Sequence, residues 1–196
     1  KVSYAVTDNS NIYLNVSEGF RSGGFNANGI TYEPENLITY DLGAKATFLD
    51  GRLGVDGAIF YSDYKDYQTS TEVNLEDGSN AVLIGNPGEV EMKGLELSVQ
   101  FKATDNFIVG LSGGVVDTEF VKTDPLVTSV LPGDSVSNIP KYSYSATLDY
   151  EFTWFSSAPG FFHIDYSRSA KRKVGLRGGF FGREVENADT GFLNIQ

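Results

Sequence analysis

Side chains alternate between apolar and polar along most of the chain, and this period of two constrains the fold more than any other feature. Residues 142–152 carry six apolar or aromatic side chains at even positions and hydroxyl or acidic side chains at odd ones. Segments 40–48 and 95–101 repeat the pattern. A period of two sends successive side chains to opposite faces of a sheet. No stretch has a convincing helical period of 3.6, so the sequence predicts an all-β protein.

Short and long connections alternate strictly between the predicted strands. The short connections are turn clusters at 8–11, 49–52, 104–106 and 156–160. The long connections cover approximately 21–36, 70–88, 118–138 and 169–188. Antiparallel up-and-down pairing then places every short turn at one end of the sheet and every long loop at the other. This asymmetry is typical of outer-membrane barrels, which have short periplasmic turns and longer extracellular loops.

Strand length and aromatic placement favour the same architecture. The predicted strands at 37–48, 53–69, 89–102 and 139–153 exceed the roughly 5–6 residues of ordinary strands and the about 9–11 that cross a bilayer. Aromatic side chains gather near strand ends, as they do in the girdles of membrane barrels. The sequence therefore predicts an antiparallel up-and-down transmembrane β-barrel segment of about nine strands, two of them partial.

Alternation alone is equally compatible with a soluble β-sandwich, whose apolar face turns into a core.

Composition excludes several classes of partner and of chemistry. The net charge is −11, which argues against a nucleic-acid partner, since such binding depends on cationic contacts to phosphates. The chain has no cysteine and a single histidine, so thiol chemistry and multi-histidine metal sites are excluded.

Four segments resemble those of one known family, in the expected order. Residues 12–26 resemble a strand-to-loop segment of TonB-dependent outer-membrane receptors. Residues 32–45, with Glu33-Pro34-Glu35 and Tyr40-Asp41-Leu42-Gly43-Ala44-Lys45, are similar to the strand that follows that loop. Residues 52–68 and the Asn86-Pro87-Gly88 to Leu97 stretch resemble the next two strands. The resemblance is specific over approximately residues 12–101 and continues beyond them mainly as strand rhythm.

The resemblance implies a function for the parent protein. Family members hold an N-terminal plug inside a 22-stranded barrel, so residues 1–196 are expected to be a partial barrel domain from its C-terminal side, without the plug and TonB box. The implied protein lies in the bacterial outer membrane among lipid and lipopolysaccharide, and imports a scarce nutrient with energy from the TonB complex. An iron–siderophore complex is the expected substrate, and cobalamin and a glycan are alternative substrates. A passive porin is an alternative function for the protein.

Three residues of the first long loop are candidate ligand contacts. Arg21 offers a charge-assisted donor, and Phe25 and Tyr32 offer stacking surfaces. Gly23, Gly24 and Gly29 are expected to act as hinges. The same side chains are also suited to packing the loop against its neighbours.

A basic run, Lys171, Arg172 and Lys173, stands out in an acidic protein, with Arg168 and Arg177 nearby. At the long-loop end it is suited to lipopolysaccharide phosphates, and it is equally typical of a solvated loop.

The acidic set around Glu72, Glu76 and Asp77 does not have the spacing of a calcium loop. No set of nucleophile, base and orienting group is recognisable. We therefore predict no metal, no cofactor and no enzyme activity.

Overall fold

The computed structural model describes residues 1–74, 80–124, 130–155, 158–174 and 185–196. These residues form a nine-stranded antiparallel sheet with simple up-and-down order. Its strands are β1 (Val2–Thr7), β2 (Ser10–Arg21), β5 (Glu35–Phe48), β6 (Leu53–Asn74), β7 (Asn80–Thr104), β8 (Phe107–Thr123), β9 (Tyr142–Trp154), β10 (Ala158–Ser169) and β13 (Thr190–Ile195). Two small ladders lie in connections: β3 (Gly24–Phe25) with β4 (Thr31–Tyr32), and β11 (Lys173–Val174) with β12 (Val185–Glu186).

The predicted all-β, antiparallel architecture of about nine strands is confirmed, and the two edge strands, β1 and β13, have six residues each. The described residues contain no helix, so none of them forms a helix that could span a membrane. Short turns join β1 to β2, β5 to β6 and β7 to β8, as predicted. Two residues of the predicted turn between β9 and β10, 156 and 157, lie outside the described residues.

The β5–β6 turn shows how local chemistry closes a hairpin. Leu49, Asp50 and Gly51 have successive φ values of 54°, 53° and 89°. Arg52 N donates to Leu49 O over 3.1 Å. A left-handed backbone is favourable for glycine and tolerable for aspartate, so Asp50-Gly51 ends β5 tightly at this end of the sheet.

The sheet has one apolar face and one polar face. Cross-strand pairing joins apolar side chains from β2 to β9 into one continuous row: Leu14, Leu42, Ile59, Leu95, Val115 and Tyr142. Between 39% and 52% of each of these residues is exposed. The opposite face carries the row Asn11, Lys45, Asp56, Ser98, Ser112 and Ser145. An apolar surface of this extent needs a non-aqueous neighbour, and a bilayer supplies one.

The β6–β7 hairpin is longer than the sequence predicts. Residues 70–88 were expected to be a loop, but the arms stay paired up to Asn74 and Asn80. The pairing is interrupted between Tyr64 and Thr69, where Asp66 has a φ of 53°. Because residues beyond the bulge change face, the apolar–polar alternation is broken there, and the sequence pattern does not show that the strand continues. The hairpin extends well past the about 9–11 residues that cross a bilayer.

We expect an added cation to destabilise the protein on the apolar face of β7 and to have little effect at the adjacent position on the polar face. Leu97→Arg should lower the free energy of unfolding of the full receptor in lipid vesicles by about 2–4 kcal/mol, because it places a cation in hydrocarbon. Ser98→Arg is the matched control: it lies on the polar face, opposite Asp56. Denaturant titration measures both values. Equal losses at the two positions would contradict the assignment of the apolar face to lipid.

Candidate functional site

The end of the sheet at which β2 ends and β5 begins is called the loop end here. Arg21 closes β2 and pairs with Glu35, the first residue of β5. Arg21 Nη2 donates to Glu35 Oε2 over 2.6 Å and to Gln68 O over 2.7 Å. Gln68 N donates to the same Glu35 oxygen over 2.6 Å. Glu35 and Gln68 are 8% and 5% exposed, so the carboxylate of Glu35 is buried, and its Oε2 accepts from both Arg21 and Gln68.

Gln68 also fastens the loop that joins β2 to β5. Its side-chain amide donates to the carbonyls of Arg21, Ser22 and Glu33 over 3.3, 3.1 and 2.9 Å. One buried amide on β6 therefore holds both ends of the loop. An isolated glutamine in a strand carries no motif, so this role could not be recognised from local sequence.

Two asparagines add further ties between this loop and β7. Asn86 accepts from Glu33 N over 2.8 Å and donates to Glu33 O and Asp66 O. The side-chain amide of Asn26 bonds to the backbone of Ile84 as a neighbouring strand would. Its oxygen accepts from Ile84 N and its nitrogen donates to Ile84 O, both over 3.0 Å. The loop is thus hydrogen-bonded across β5 to the β6–β7 hairpin.

Tyr32 packs inside the loop. It pairs with Gly24, and a Cβ at Gly24 would lie 2.7 Å from the Tyr32 hydroxyl oxygen. The glycine at 24 therefore makes room for the tyrosine ring, where the sequence predicted a hinge. Gly29, with a φ of 84°, serves a turn in which Gly29 N donates to Asn26 O.

Phe25 differs from the other two predicted ligand contacts. It lies in β3 and is 78% exposed. The side chain of Arg21 is 55% exposed but is engaged with Glu35 and Gln68. Arg21 thus ends β2, Phe25 and Tyr32 lie in the loop that follows it, and Phe25 is the most exposed of the three.

A small hydrophobic core lies beneath the loop end. Val90, Phe120, Val130 and Val136 are each at most 4% exposed. Tyr64, Tyr67, Met92 and Ile139 pack around them, and the Tyr67 and Phe120 rings meet edge to face at 5.9 Å. Burial raises the pKa of Tyr67. The core fixes residues 130–139 against β6, β7 and β8, so this part of the predicted loop 118–138 is packed.

The basic run lies beside acidic partners from the last connection. Lys171 Nζ pairs with Glu186, and Asp189 accepts from Arg168 Nη2 and Lys171 N, both over 2.8 Å. The bond with Glu186 raises the pKa of Lys171, and the bond with Arg168 lowers the pKa of Asp189. Lys173 O accepts from Asn138 N over 2.8 Å, and Arg172 is exposed. Arg177 lies outside the described residues.

A cavity of about 330 Å³ lies between this run and the hydrophobic core. Its lining includes Thr118, Val136, Ile139, Lys141, Ala170 and Lys171. The apolar floor and charged rim fit a small organic molecule in size and chemistry.

The described residues hold no group of three or more histidine, cysteine, aspartate or glutamate side chains suited to a metal ion. Glu76 and Asp77, from the acidic set considered for calcium, lie outside those residues. His163 Nδ1 lies 2.6 Å from Asp149 Oδ1, its cross-strand partner. A histidine paired across the polar face is compatible with a structural role.

Comparison with known proteins gives a consistent result. The family model described as TonB dependent receptor-like, beta-barrel, matches residues 1–190. The metal-pseudopaline receptor CntO of Pseudomonas aeruginosa is 28% identical over 192 residues, which are 97% of this chain and 24% of that receptor. The probable TonB-dependent siderophore receptor PiuA of Acinetobacter baumannii is 28% identical over 156 residues, which are 76% of this chain and 20% of that receptor.

Solved structures share the fold. The ferric yersiniabactin uptake receptor FyuA of Yersinia pestis superposes with a TM-score of 0.77 at 17% identity, over 98% of this chain and 28% of its own. The copper transporter OprC gives a TM-score of 0.71 at 13% identity, over 98% of this chain and 29% of its own. The chain spans about a quarter of the length of these relatives. It belongs to the TonB-dependent receptor family, and its nine strands are a portion of the family's β-barrel.

Proposed function

We propose that this chain is part of the barrel wall of an outer-membrane receptor that binds a metal chelate at its loop end and imports it with TonB-coupled energy. The two-faced sheet, with its long connections at one end, carries the proposal. The apolar face meets lipid, the polar face lines the barrel interior, and the loop end faces the cell exterior. The TonB complex acts on the parent receptor through its plug.

The printed functions of the relatives support a metal-chelate substrate. CntO is a metal-pseudopaline receptor, PiuA is a probable siderophore receptor, and FyuA takes up ferric yersiniabactin. These names share a metal held by an organic chelator, and an iron–siderophore complex is the substrate that we favour. All are receptors, so the protein is inferred not to be an enzyme.

The structure also bears on the two alternative functions. A soluble β-sandwich covers its apolar face with a second sheet, whereas the two further sheets among the described residues are two-stranded ladders. A passive porin would have no plug and would need no energy input, so the upstream gene sequence and the energetics of uptake both distinguish it.

The basic run remains a proposed lipopolysaccharide contact. Lys171 is paired with Glu186, so Arg172 offers the most open cation of the three predicted residues. A guanidinium at the loop end is suited to bidentate binding of a lipid phosphate.

Uptake measurements test the proposed function directly. Deleting the gene for the full-length receptor should reduce uptake of at least one chelate among iron-loaded yersiniabactin, metal-loaded pseudopaline and an iron-loaded catecholate. A protonophore should abolish the same uptake in wild-type cells, because TonB coupling depends on the proton gradient. Uptake that resists the protonophore would favour the porin. Deletion without effect on any of the three chelates would contradict the proposal.

Phe25 gives the sharpest test of loop contact. We expect Phe25→Ala in the full-length receptor to weaken binding of the imported chelate about two- to tenfold, the range that one aromatic contact supplies. Phe20→Ala is the matched control, because Phe20 is 77% exposed but lies in β2 on the apolar face. Equal affinities for Phe25→Ala and wild type, measured by tryptophan quenching, would show that Phe25 does not touch the chelate. Arg21 is unsuited to this test, because removing it leaves the buried carboxylate of Glu35 without its cation.

Gln68 should act through the loop that it holds. Gln68→Ala removes three donated hydrogen bonds, so we expect backbone amides of residues 22–34 to exchange about tenfold faster or more. Gln100→Ala, an exposed glutamine on the polar face of β7, serves as the control and should leave that exchange unchanged. Hydrogen-exchange mass spectrometry of the full receptor measures both. Identical exchange in the two variants would exclude Gln68 as the tie.

A further inference from the structure

The cavity beside the basic run lies where β9 begins and its neighbour β8 continues further toward the loop end. β9 begins at Tyr142, whereas β8 runs on to Thr123. The segment 130–139 and the residues that follow β10 border the resulting gap, which has a volume of about 330 Å³. Two residues of its lining, Val116 and Thr118, lie on the polar face of β8. The cavity therefore borders the face that lines the barrel interior under the proposed function.

The floor of the cavity is buried and mainly apolar. Thr118, Val136 and Ala170 are 7%, 4% and 5% exposed, and Val116 and Ile139 complete this part of the lining. A cavity of about 150 Å³ lined by aliphatic and aromatic side chains already holds a benzene ring. A volume of about 330 Å³ therefore leaves room for one ring that carries polar substituents.

The rim of the cavity is charged and exposed, and its carboxylates are already engaged. Glu186 pairs with Lys171, and their side chains are 48% and 59% exposed. Asp189 accepts from Arg168 Nη2 and from Lys171 N. Lys141 differs from these residues, because it is exposed and forms no ion pair with any residue that the structure describes. The rim therefore offers the ammonium group of Lys141 to an anion.

Thr118 adds a buried polar group to the floor. Its Oγ1 accepts from Val136 N over 3.0 Å. Its hydroxyl hydrogen has no acceptor among the described parts of the chain. A buried donor without a partner costs about 1–3 kcal/mol, and an acceptor oxygen on a ligand in the cavity would remove this cost. The floor thus accommodates a ligand that is apolar in the main but carries oxygen.

We propose that this cavity receives one aromatic arm of the imported chelate, with an anionic ring oxygen, as in a phenolate or catecholate, at Lys141. The inference rests on the proposed function and deepens it, because it names the chemical class of the chelator. The apolar floor favours a ring over a compact carboxylate, which would leave the floor without dispersion contacts. The unpaired cation favours an anionic ring over a neutral one, since charge-assisted hydrogen bonds are the stronger ones.

Calorimetric titration of the full-length receptor in detergent tests the site. The probes are ferric dihydroxybenzoate, which is an aromatic chelate, and ferric citrate, which has no ring. Lys141→Gln should weaken binding of ferric dihydroxybenzoate about tenfold, the loss expected for one charge-assisted hydrogen bond. Lys122→Gln is the matched control, because the Lys122 side chain is 73% exposed at the loop end and pairs with Glu89 outside the cavity. Equal affinities of these two variants overturn the proposal.

The volume of the cavity gives an independent test. Ala170→Leu places a larger side chain in the floor and should also weaken binding of ferric dihydroxybenzoate about tenfold, whereas Ala44→Leu on β5, away from the cavity, should not. Where Ala170→Leu does not fold, the comparison of Lys141→Gln with Lys122→Gln decides alone.

The second probe and the wild-type receptor give the remaining outcomes. An equal loss of ferric citrate and ferric dihydroxybenzoate in Lys141→Gln would reduce the site to charge attraction and overturn the aromatic assignment. A wild-type receptor that imports another chelate but does not bind ferric dihydroxybenzoate overturns this inference alone. A wild-type receptor that imports no chelate contradicts the proposed function instead.

Discussion

A backbone that lies in hydrocarbon has no water to bond, so its N–H and C=O groups must pair within the protein. The nine-stranded ladder meets this requirement from β1 to β13, each strand pairing with its sheet neighbours. Once the ladder is fixed, the period of two assigns each side chain to lipid or to the barrel interior. Polar side chains then bond with one another on the polar face, as Asn15 does with Asp41 over 2.9 Å and Thr39 with Ser62 over 2.9 Å.

This constraint explains why the sheet could be predicted from the sequence. The alternation in 142–152 and 95–101 indicates the two faces of the sheet directly, and Asp50-Gly51 indicates a tight turn. The continuation of β6 and β7 beyond the membrane was missed, because the bulge near Asp66 breaks the alternation there. The strand pairing up to Asn74 and Asn80 depends on neighbours in the opposite arm, which local sequence patterns do not reveal.

The loop end was harder to anticipate for a different physical reason. Arg21 and Tyr32 are residue types that suit ligand contact, but their partners, Glu35 and Gly24, come from the protein itself. The ties through Gln68, Asn86 and Asn26 join segments far apart in sequence. A receptor loop held at several points presents an exposed ring such as Phe25 with little conformational freedom to lose on binding, which favours affinity.

The assignment of the two faces of the sheet is the central claim, and thiol accessibility tests it most directly. The chain contains no cysteine, so each introduced cysteine is unique within it. Cysteines placed one at a time at positions 95–101 of the full receptor in lipid vesicles should alternate in reactivity. Positions 96, 98 and 100 should react with a water-soluble maleimide, whereas lipid should protect positions 95, 97, 99 and 101, because a thiol in hydrocarbon does not ionise. Uniform reactivity along β7 with a water-soluble maleimide would contradict the account.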